Sequence, residues 1–481
     1  MVQYSNFEKI MEARDHFTCA SRSASKNMAS SKKLMVALLL FLFVVSTFGQ
    51  TRSLSREQMI QDMDVLFSTI EEVHPDMYAV YPKEKLDKDI ERVKSELEPS
   101  GDIFYFYKQV APLVVKLGDG HTNVSAPYHD PSDFVNELFF PFSVMVTYPD
   151  KLIFVQKDYT QTRSTIPIDA QITSINNRQA NDVVQEMMNY LSGEKDFYKI
   201  NGVGNWFIPL MHTLYRDSIF DIEYIFNQER YSVQVNGVLA KEIIEKDSQQ
   251  DNPVPRKKYA FSVLPEKNIG VIEFNEFMDI DRFKVFLDST FQILQKENIG
   301  NLIIDIRKNG GGYTTLGDEL FQYISLVPFA QFGKSIVKYS DIQKQNYKNQ
   351  GYEPPNNPNG IEIYNENAKL TELKENKLRY KGDVFLLISH RTFSSAASFS
   401  WAFKYFKMGT VIGEESGGMA VSFGGSITEK LPNTGIFYSI SHKKMYHYGA
   451  TDDNIHGTLP DYEVEAEKAL DFTINLITRE K

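Results

Sequence analysis

The sequence VFLLISHRTFSSAASFSW occupies residues 384–401. It opens with an apolar run of strand length, continues through a short polar turn, and leads through small residues into an apolar, aromatic segment of helical character. A strand, turn and helix in this order can lift a serine hydroxyl out of the backbone and direct the first free N–H groups of the helix at the group under attack. Ser395 is the predicted serine at this elbow. Because serine is also an ordinary helix N-cap, this stretch alone leaves a purely structural role open.

A βαβ pattern precedes this stretch. Residues 269–274 and 301–306 read as buried strands and residues 283–295 as a helix, so the spacing favours a parallel sheet. The second strand runs into Arg-Lys-Asn-Gly-Gly-Gly at 307–312, where glycine allows close backbone approach at the ligand-binding edge of the sheet. The loop lacks the Gly-Lys-Ser/Thr ending of a P-loop, so an oxyanion donor fits it better than a phosphate cradle.

Residues 50–125 are predicted to be a small helical domain. Apolar residues recur at helical spacing in 54–73, 83–97 and 104–117, and Ser55 with Gln58 forms a predicted capping box. The domain ends in Gly-Asp-Gly-His-Thr at 118–122. His121 is the candidate general base, because histidine titrates near neutral pH and can take a proton from a serine hydroxyl. A turn histidine that is merely solvated is the alternative.

The next part of the chain alternates short strands with one helix. Residues 138–195 contain predicted strands at 142–146, 152–155 and 171–176 and a helix at 180–191, an order similar to a PDZ-like module that binds extended peptides. An ordinary small β domain is the alternative. Residues 196–265 are predicted to be a connecting β segment. The polar stretch 331–380 is interpreted as an insertion, either a lid or a disordered loop, within a core spanning 266–481.

The amino terminus has the order of a secretory signal. Lys32 and Lys33 precede twelve apolar residues at 34–45, and small and polar residues follow at 46–50. The apolar run is too short to span a bilayer as a helix. We therefore predict that residues 1–49 are a signal peptide with an upstream extension. The mature protein is expected to be exported to a periplasmic, extracellular or cell-envelope location, with no stable membrane span after cleavage.

Composition limits the classes of function. The single cysteine, Cys19, lies in the predicted signal region, so the mature chain is predicted to have no disulfides and no thiolate chemistry. The formal net charge is −11 and no basic stripe is present, which argues against nucleic acid as a partner. No His/Asp/Glu pattern has convincing metal-ligand spacing, so we expect no metal and no cofactor.

Together these motifs resemble the carboxyl-terminal-processing and tricorn-core serine peptidases. The resemblance is carried by GDGHT at 118–122, the PDZ-like segment, DIRKNGGG at 305–312, TFSSAAS at 392–398, VIGEESGG at 411–418 and GTLPD at 457–461. It covers essentially the whole mature chain. It implies a crotonase-like α/β core with a parallel sheet, a helical amino-terminal domain and a PDZ-like β domain, and cleavage of peptide bonds through an acyl-enzyme.

The resemblance also implies roles for single residues. Ser395 matches the nucleophile, and the N–H groups of Ala396 and of Gly310 or Gly311 match the oxyanion hole. The lysine base of the processing branch is replaced by Met419, so His121, which matches the base of the tricorn-like branch, is the expected base.

Three positions depart from the pattern of these peptidases. Ser398 stands where glutamate is frequent, and Gly120 where the tricorn-like branch has serine. Asp453 is the acid nearest to the position of that branch's supporting glutamate, and it is the predicted third member of the site.

The predicted function is therefore an exported serine endopeptidase that acts on peptides or unfolded proteins. The alternative is a catalytically weak or inactive protein on the same scaffold that binds peptides or apolar ligands, as interphotoreceptor retinoid-binding proteins do. Retention of both Ser395 and His121 favours the enzyme.

Overall fold

The computed structural model describes residues 53–128, 134, 136–160, 166–249, 257–349, 351, 353, 360–365 and 369–479. The predicted signal peptide at 1–49 lies outside the described residues. Among the described helices, none is both long enough and apolar enough to cross a membrane.

The first region is helical, as predicted. Its elements are β1 (Leu54–Ser55), α1 (Arg56–Val73), α2 (Lys83–Glu96), β2 (Ser100–Gly101), α3 (Ile103–Val115) and β3 (Asn123–Val124). The predicted capping box is present at the start of α1: the Ser55 hydroxyl accepts the N–H of Gln58 at 3.3 Å, and the Gln58 side chain accepts the N–H of Ser55 at 3.0 Å. The apolar faces of the three helices share one core, which residues 431–440 from the distant end of the chain complete.

The second region is built on an antiparallel sheet. Its elements are β4 (Leu138–Phe139), β5 (Phe142–Val146), β6 (Ile153–Asp158), β7 (Gln171–Ile175), β8 (Arg178–Gln179), α4 (Ala180–Met188), α5 (Asp196–Tyr215), β9 (Ile219–Phe226), β10 (Glu229–Asn236), β11 (Val238–Leu239) and α6 (Ala240–Gln249). The sheet order is β10-β9-β7-β6-β5, with β8 paired to β7, while β11 pairs with β4. Alternate residues of the strands pack with α4 and α5 in one apolar cluster.

The β interpretation of residues 196–265 is wrong at its start, because Asp196–Tyr215 is a helix. Gly202, Gly204 and Pro209 obscured the helical pattern, since glycine and proline are read as helix breakers. Tertiary packing offsets their cost. A Cβ at Gly204 would lie 3.4 Å from the carbonyl oxygen of Val144 and 3.5 Å from the N of Val146, which is ordinary van der Waals contact, so α5 lies directly on β5 at this position.

The third region contains the parallel sheet and its helices. Its elements are β12 (Tyr259–Leu264), a 3-10 turn (Pro265–Lys267), β13 (Ile269–Phe274), α7 (Ile280–Lys296), β14 (Asn301–Asp305), α8 (Thr315–Ile324), β15 (Phe332–Lys338), α9 (Asp341–Asn349), β16 (Ile361–Asn365), β17 (Asp383–Ile388), α10 (Ser395–Tyr405), β18 (Thr410–Gly413), β19 (Val421–Gly424), β20 (Ile427–Lys430), β21 (Phe437–Ile440), β22 (Lys443–His447), β23 (Tyr462–Glu463), a 3-10 turn (Ala466–Lys468) and α11 (Ala469–Arg479).

The large sheet of this region has the order β12-β13-β14-β17-β18-β23. Every pair from β13 to β23 is parallel, and β12 is an antiparallel edge strand, so the predicted mixed α/β core with a parallel sheet is confirmed. Alternate residues face opposite sides. Ile304 and Leu386 pack with α7, α8 and α10, whereas Ile303 and Leu387 pack with α11. Covering both faces buries the central strands, as a parallel sheet requires.

The polar stretch 331–380 is not one long loop. Phe332–Lys338 and Ile361–Asn365 are paired strands, and the sheet order β16-β15-β22-β19 joins them to the carboxyl-terminal part of the chain. A third small sheet, β20-β21-β3, joins that same part to the helical region. The short strand β3 begins two residues after His121 and pairs with Tyr438 and Ser439, which fixes the backbone that follows the histidine.

Candidate active site

The serine-rich turn between β17 and α10 is strained at one residue. Ser394, the last residue before α10, has φ +51° and ψ −124°, a backbone conformation that is rare for a residue with a side chain. Hydrogen bonds hold the turn in place: the Thr392 hydroxyl donates to the carbonyl of Ile306 at 3.1 Å, and the N–H of Phe393 donates to the carbonyl of Asn309 at 3.1 Å. The strained serine is thus anchored to the end of the neighbouring strand β14.

The glycine loop after β14 lies directly beneath this serine. The Asn309 side chain donates to the carbonyl of Phe274 at 2.7 Å and accepts the N–H of Gly311 at 2.8 Å. Gly311 has φ +103°, and a Cβ there would lie 2.8 Å from both the Cβ of Ser394 and the N of Ser395. Only glycine fits this position, both for its backbone angle and for the close approach of the two loops.

His121 meets Ser394 and not Ser395. Its Nε2 lies 3.2 Å from the Ser394 Oγ, across 273 residues of sequence. The imidazole also stacks on the ring of Phe393, with centroids 4.8 Å apart and planes 24° apart. A serine and a histidine within hydrogen-bond reach, with the serine on a strained turn, form the pair needed for nucleophilic catalysis.

The structure places Ser395 elsewhere. Its hydroxyl donates to the carbonyl of Gly312, in the glycine loop, at 2.6 Å. The reason is the point at which the helix begins. Ser395 is the first helical residue, while Ser394 has the strained angles that turn a side chain outward. The sequence has two adjacent serines at this turn, and the prediction chose Ser395 where the structure has Ser394 at the elbow. The sequence carries no signal that fixes the first residue of α10.

The predicted oxyanion donors differ in whether their N–H groups already have a hydrogen-bond acceptor. The N–H of Ala396 already donates to the carbonyl of Phe393 at 3.1 Å, and the N–H of Gly311 is bound to Asn309. Within the described residues, the N–H groups of Gly310 and Ser395 have no hydrogen-bond acceptor. The latter belongs to the residue that follows Ser394, and Gly310 directly precedes the glycine packed against it. Of the predicted donors, Gly310 therefore remains available.

The predicted third member, Asp453, is not among the acids around His121. It is exposed on the segment after β22. The acids near the imidazole are Asp119 and Glu194. Asp119 is buried and saturated with hydrogen bonds: it accepts the N–H of His121 at 2.8 Å, the Nε2 of His74 at 3.3 Å and the hydroxyl of Thr122. It fixes the histidine backbone, but its Oδ1 is 3.9 Å from the His121 Nδ1.

Burial sets the charge states of this cluster. It lowers the pKa of His121, so the imidazole is neutral at pH 7 and Nε2 can accept a proton. Burial alone would raise the pKa of Asp119, but its bonds to His74 and Thr122 and the nearby imidazoles bring that pKa down to about 2. Burial, together with the charge of Asp119, raises the pKa of Glu194 to about 8. Sequence reasoning missed both acids. Asp119 stands inside the quoted Gly-Asp-Gly-His-Thr motif, whereas nothing in the sequence signals Glu194.

Among the described residues, Asp119, His121 and Glu194 are the cluster whose ligand atoms, all within 4.8 Å of one another, could hold a metal ion. The oxygens of Asp119 already accept hydrogen bonds from three groups, and a metal would have to displace some of them. We therefore assign no metal, and the absence of a cofactor stays a prediction. Met419, which stands where a lysine base was considered, is buried and forms a β-bridge with Gly457.

Residues 268–464 match the family model of peptidase family S41. Over this segment the chain is similar to that family. The match confirms the resemblance seen in the motifs and indicates a serine-type peptidase. The matched segment contains the glycine loop and Ser394 and ends before α11. His121 and Glu194 lie outside it. No curated protein sequence matches the chain.

Two solved structures share the fold at low sequence identity. One is a mutant of CPAF, with a TM-score of 0.64 and 14% identity over 88% of this chain and 97% of that one. The other is mature CPAF, with a TM-score of 0.60 and 12% identity over 88% and 97%. At this identity the likeness concerns the fold alone. It extends over the helical and antiparallel regions as well as the parallel sheet.

Proposed function

We propose that the protein is an exported serine endopeptidase in which Ser394 is the nucleophile and His121 the general base. The single observation that carries this proposal is the distance of 3.2 Å between the His121 Nε2 and the hydroxyl of Ser394, on a turn whose backbone strain presents that hydroxyl. Ser394 takes the role that sequence reasoning gave to Ser395. The match of residues 268–464 to the S41 family supports the same chemistry.

Acylation follows from the positions of the two side chains. The Ser394 Oγ attacks the scissile carbonyl carbon as His121 Nε2 removes its proton, which forms a tetrahedral intermediate and an imidazolium. The intermediate collapses as the C–N bond breaks and the imidazolium returns the proton to the leaving amine. Water then attacks the ester, again with His121 as base, and releases the acid product and Ser394. The lowered pKa of His121 favours this cycle because the free enzyme holds the neutral base.

The oxyanion hole of this scheme consists of the N–H groups of Ser395 and Gly310. Both lack an acceptor among the described residues, and Ser395 N opens helix α10, so the helix dipole adds to its field. Each donor of this kind contributes about 3 to 4 kcal/mol to the stabilisation of a transition state. The Ser395 side chain contributes differently, because its bond to the carbonyl of Gly312 ties the glycine loop to the serine turn.

The finer architecture is part of the proposal. A parallel sheet with helices on both faces supports a crotonase-like core at 266–481. Strands β5 to β8 with α4 support the PDZ-like domain predicted at 138–195, and β9, β10 and α5 extend its sheet and core beyond residue 195. Residues 50–125 form the helical domain that carries His121. A PDZ-like sheet edge would bind an extended peptide through its main chain, which suits peptide or unfolded-protein substrates. Export rests on the signal pattern at 32–50.

A fluorophosphonate probe tests this function, since it phosphonylates an activated serine. Purified residues 50–481 are compared with Ser394→Ala, Ser395→Ala and His121→Ala. We expect labelling of the wild type, none of Ser394→Ala, a loss of about 10³-fold or more for His121→Ala, and retained labelling of Ser395→Ala. The paired serine variants differ by one position, so each is the control for the other.

The outcomes separate the two functions under consideration. Labelling that survives in Ser394→Ala and disappears in Ser395→Ala would restore the assignment made from the sequence. A folded wild-type protein that takes up no probe and cleaves no unfolded casein would instead favour the alternative, a peptide- or apolar-ligand-binding protein on the same scaffold.

A further inference from the structure

The beginning of helix α5 packs against the candidate active site. Phe197 stacks on His390 and Tyr198 stacks on Phe393, each with ring centroids 4.3 Å apart. Phe393 in turn stacks on His121. The segment 194–198, which belongs to the antiparallel region, thus touches the serine turn directly and the histidine through a stack of rings. Its first residue, Glu194, has no assigned role.

His121 has one ring nitrogen without a partner. When Nε2 accepts the hydroxyl hydrogen of Ser394, the hydrogen of the neutral imidazole resides on Nδ1. That nitrogen is buried and has no hydrogen-bond partner among the described residues. Asp119 does not satisfy it, since its Oδ1 lies 3.9 Å away and accepts the His121 backbone N–H. A buried donor left unpaired is costly, and in a base it leaves the ring orientation unsupported.

Glu194 offers the missing acceptor. Both of its carboxyl oxygens are buried, and neither makes a hydrogen bond of full geometry within the part of the chain that the structure describes, although the backbone N–H groups of Gly120 and Glu194 lie close enough to lower its pKa. Its carboxylate lies within 4.8 Å of ligand atoms of both Asp119 and His121. The carboxyl occupies space that a side chain at Gly120 would take, because a Cβ there would lie 3.0 Å from the Glu194 Oε2 and 2.8 Å from the Cζ of Phe393. Because Gly120 has no side chain, the Glu194 carboxyl can lie close to His121.

We propose that Glu194 is the positioning residue of His121, accepting the hydrogen of Nδ1 and holding the ring with Nε2 toward Ser394. This role rests on the proposed function, because it serves the base of the serine pair. The two groups lie within 4.8 Å of each other without a hydrogen bond between them, and they come together when His121 takes the serine proton, since the imidazolium then attracts the carboxyl group. Glu194 touches no substrate. It acts through His121, and it links the orientation of the base to the antiparallel region that carries α5.

The charge of Glu194 makes this role dependent on pH. The titratable groups that face it are Asp119 and His121 on the histidine loop and Tyr198 and Lys199 on α5. Burial and the charge of Asp119 raise its pKa to about 8, while the backbone N–H groups of Gly120 and Glu194 and the charge of Lys199 offset part of this rise. Glu194 is therefore mostly protonated at pH 7, when its carbonyl oxygen can still accept Nδ1–H. It ionises above about pH 8, and the carboxylate then strengthens His121 as a base.

The first test needs no activity. Protein with 13C-labelled histidine is titrated by NMR, and the His121 signal is assigned by its loss in His121→Ala. We expect the wild-type His121 signal to show an inflection near pH 8, caused by ionisation of Glu194, and Glu194→Gln to lack it. The matched control is Glu137→Gln, which removes an acid 2.7 Å from another histidine, His212. A His121 titration that is the same in wild type and Glu194→Gln overturns the proposal.

The second test follows the rate of fluorophosphonate labelling from pH 6 to pH 9.5. We expect the wild-type rate to rise through pH 8 and the Glu194→Gln rate to level off, so that the variant is about tenfold slower at pH 9. Glu137→Gln should follow the wild type. If Glu194→Gln does not fold, Gly120→Ala replaces it, because the added Cβ displaces the carboxyl and should also remove the rise above pH 8.

The two tests distinguish a failure of the proposed function from a failure of the role of Glu194. If the wild type takes up no probe, the proposed function fails while the NMR titration still decides the role of Glu194. If the wild type is labelled and the pH profile of Glu194→Gln coincides with it, the function stands and Glu194 is not a positioning residue.

Discussion

The loops that carry Ser394 and His121 are held in place by different means. The serine turn is bonded to its neighbours in the parallel sheet: Thr392 binds the end of β14, and Phe393 binds the glycine loop that follows that strand. The histidine loop depends on buried side chains and on a partner far along the chain. The Thr122 hydroxyl, for example, accepts the N–H of Ser441, 319 residues away. The nucleophile is thus built into one hydrophobic core, while the base reaches it only when two regions of the chain pack together.

A buried aspartate stabilises the contact between the helical region and the carboxyl-terminal part of the chain. Asp62 on α1 is fully buried, and it accepts the backbone N–H groups of Asn433 and Thr434 at 3.0 and 2.8 Å and the Asn433 side chain at 2.9 Å. These residues form the turn between β20 and β21, the strand that pairs with β3. Asp62 therefore fixes the helical region to the hairpin that aligns the backbone after His121. Weakening this contact should therefore lower the stability of the helical region without changing the serine turn.

Outside the Ser394–His121 pair, the largest loss of activity is expected from a substitution at Gly311, beside the serine turn. Gly311→Ala places a Cβ 2.8 Å from the Ser394 Cβ at a φ of +103°, so the two loops must separate. Because a displacement of about 1 Å costs roughly 100-fold in rate, we expect fluorophosphonate labelling to fall at least that far. Gly351→Ala is the matched control, since Gly351 also has a positive φ of +80° but open space around it. Labelling of Gly311→Ala within a few-fold of the control would show that the loops do not depend on this close approach.

The histidine side should fail next at Asp119. Asp119→Asn keeps the shape of the side chain but turns one acceptor into a donor, which then faces donors from His74 or from the His121 loop. We expect labelling to fall by about tenfold to 100-fold as His121 loses its fixed position, with Ser394 unmoved. Asp453→Asn is the control, because Asp453 is exposed and lies away from the cluster. A larger loss in Asp453→Asn than in Asp119→Asn would reinstate the acid predicted from the sequence.

The same contrast explains what the sequence could predict. Features that depend on a short stretch of sequence were predicted correctly. The strands at 269–274 and 142–146 agree with the structure residue for residue, and the capping box at Ser55 is present. The serine elbow and the glycine loop were found because strand, turn and helix follow one another directly in the chain. His121 was found through its own short motif and through the family resemblance.

The features that the sequence predicted wrongly or missed depend on tertiary contacts. Helix α5 forms although it contains glycines and a proline, because packing on β5 outweighs local propensity. Ser395 was preferred to Ser394 because the choice depends on where α10 begins, and helix ends are set by capping geometry that the sequence pattern does not fix. Glu194 had no motif at all. Its place beside His121 follows from the packing of three regions, and the only local trace of it is the glycine at 120.

Stability should respond more than activity when the regional contact is weakened. Asp62→Asn leaves backbone N–H groups of Asn433 and Thr434 incompletely satisfied in a buried site, and we expect the free energy of unfolding to fall by about 2 kcal/mol. Folded Asp62→Asn should keep labelling within about threefold of the wild type.

The control for this change is on the same helix. Asp64 is exposed and paired with Lys94, and such surface pairs contribute less than about 1 kcal/mol, so Asp64→Asn should change stability little. Urea unfolding of both variants gives the comparison. Equal losses in the two would mean that the buried bonds of Asp62 do not hold the helical region in place.

The last expected effect, on stability, appears only in acid. The folded-state pKa of Asp119 is about 2 against an ordinary value of 3.8, so its charge stabilises the folded protein above about pH 4, and this contribution is lost as the pH falls toward 2. The loss amounts to about 2 kcal/mol. Asp119→Asn has no proton to take up at this site, so the stability difference between wild type and variant should shrink over that interval. Urea unfolding at pH 5, 4, 3 and 2 measures it, and taking differences cancels the other acids. A difference that stays constant from pH 5 to pH 2 would mean that Asp119 holds the histidine loop by the geometry of its hydrogen bonds, without a contribution from its charge.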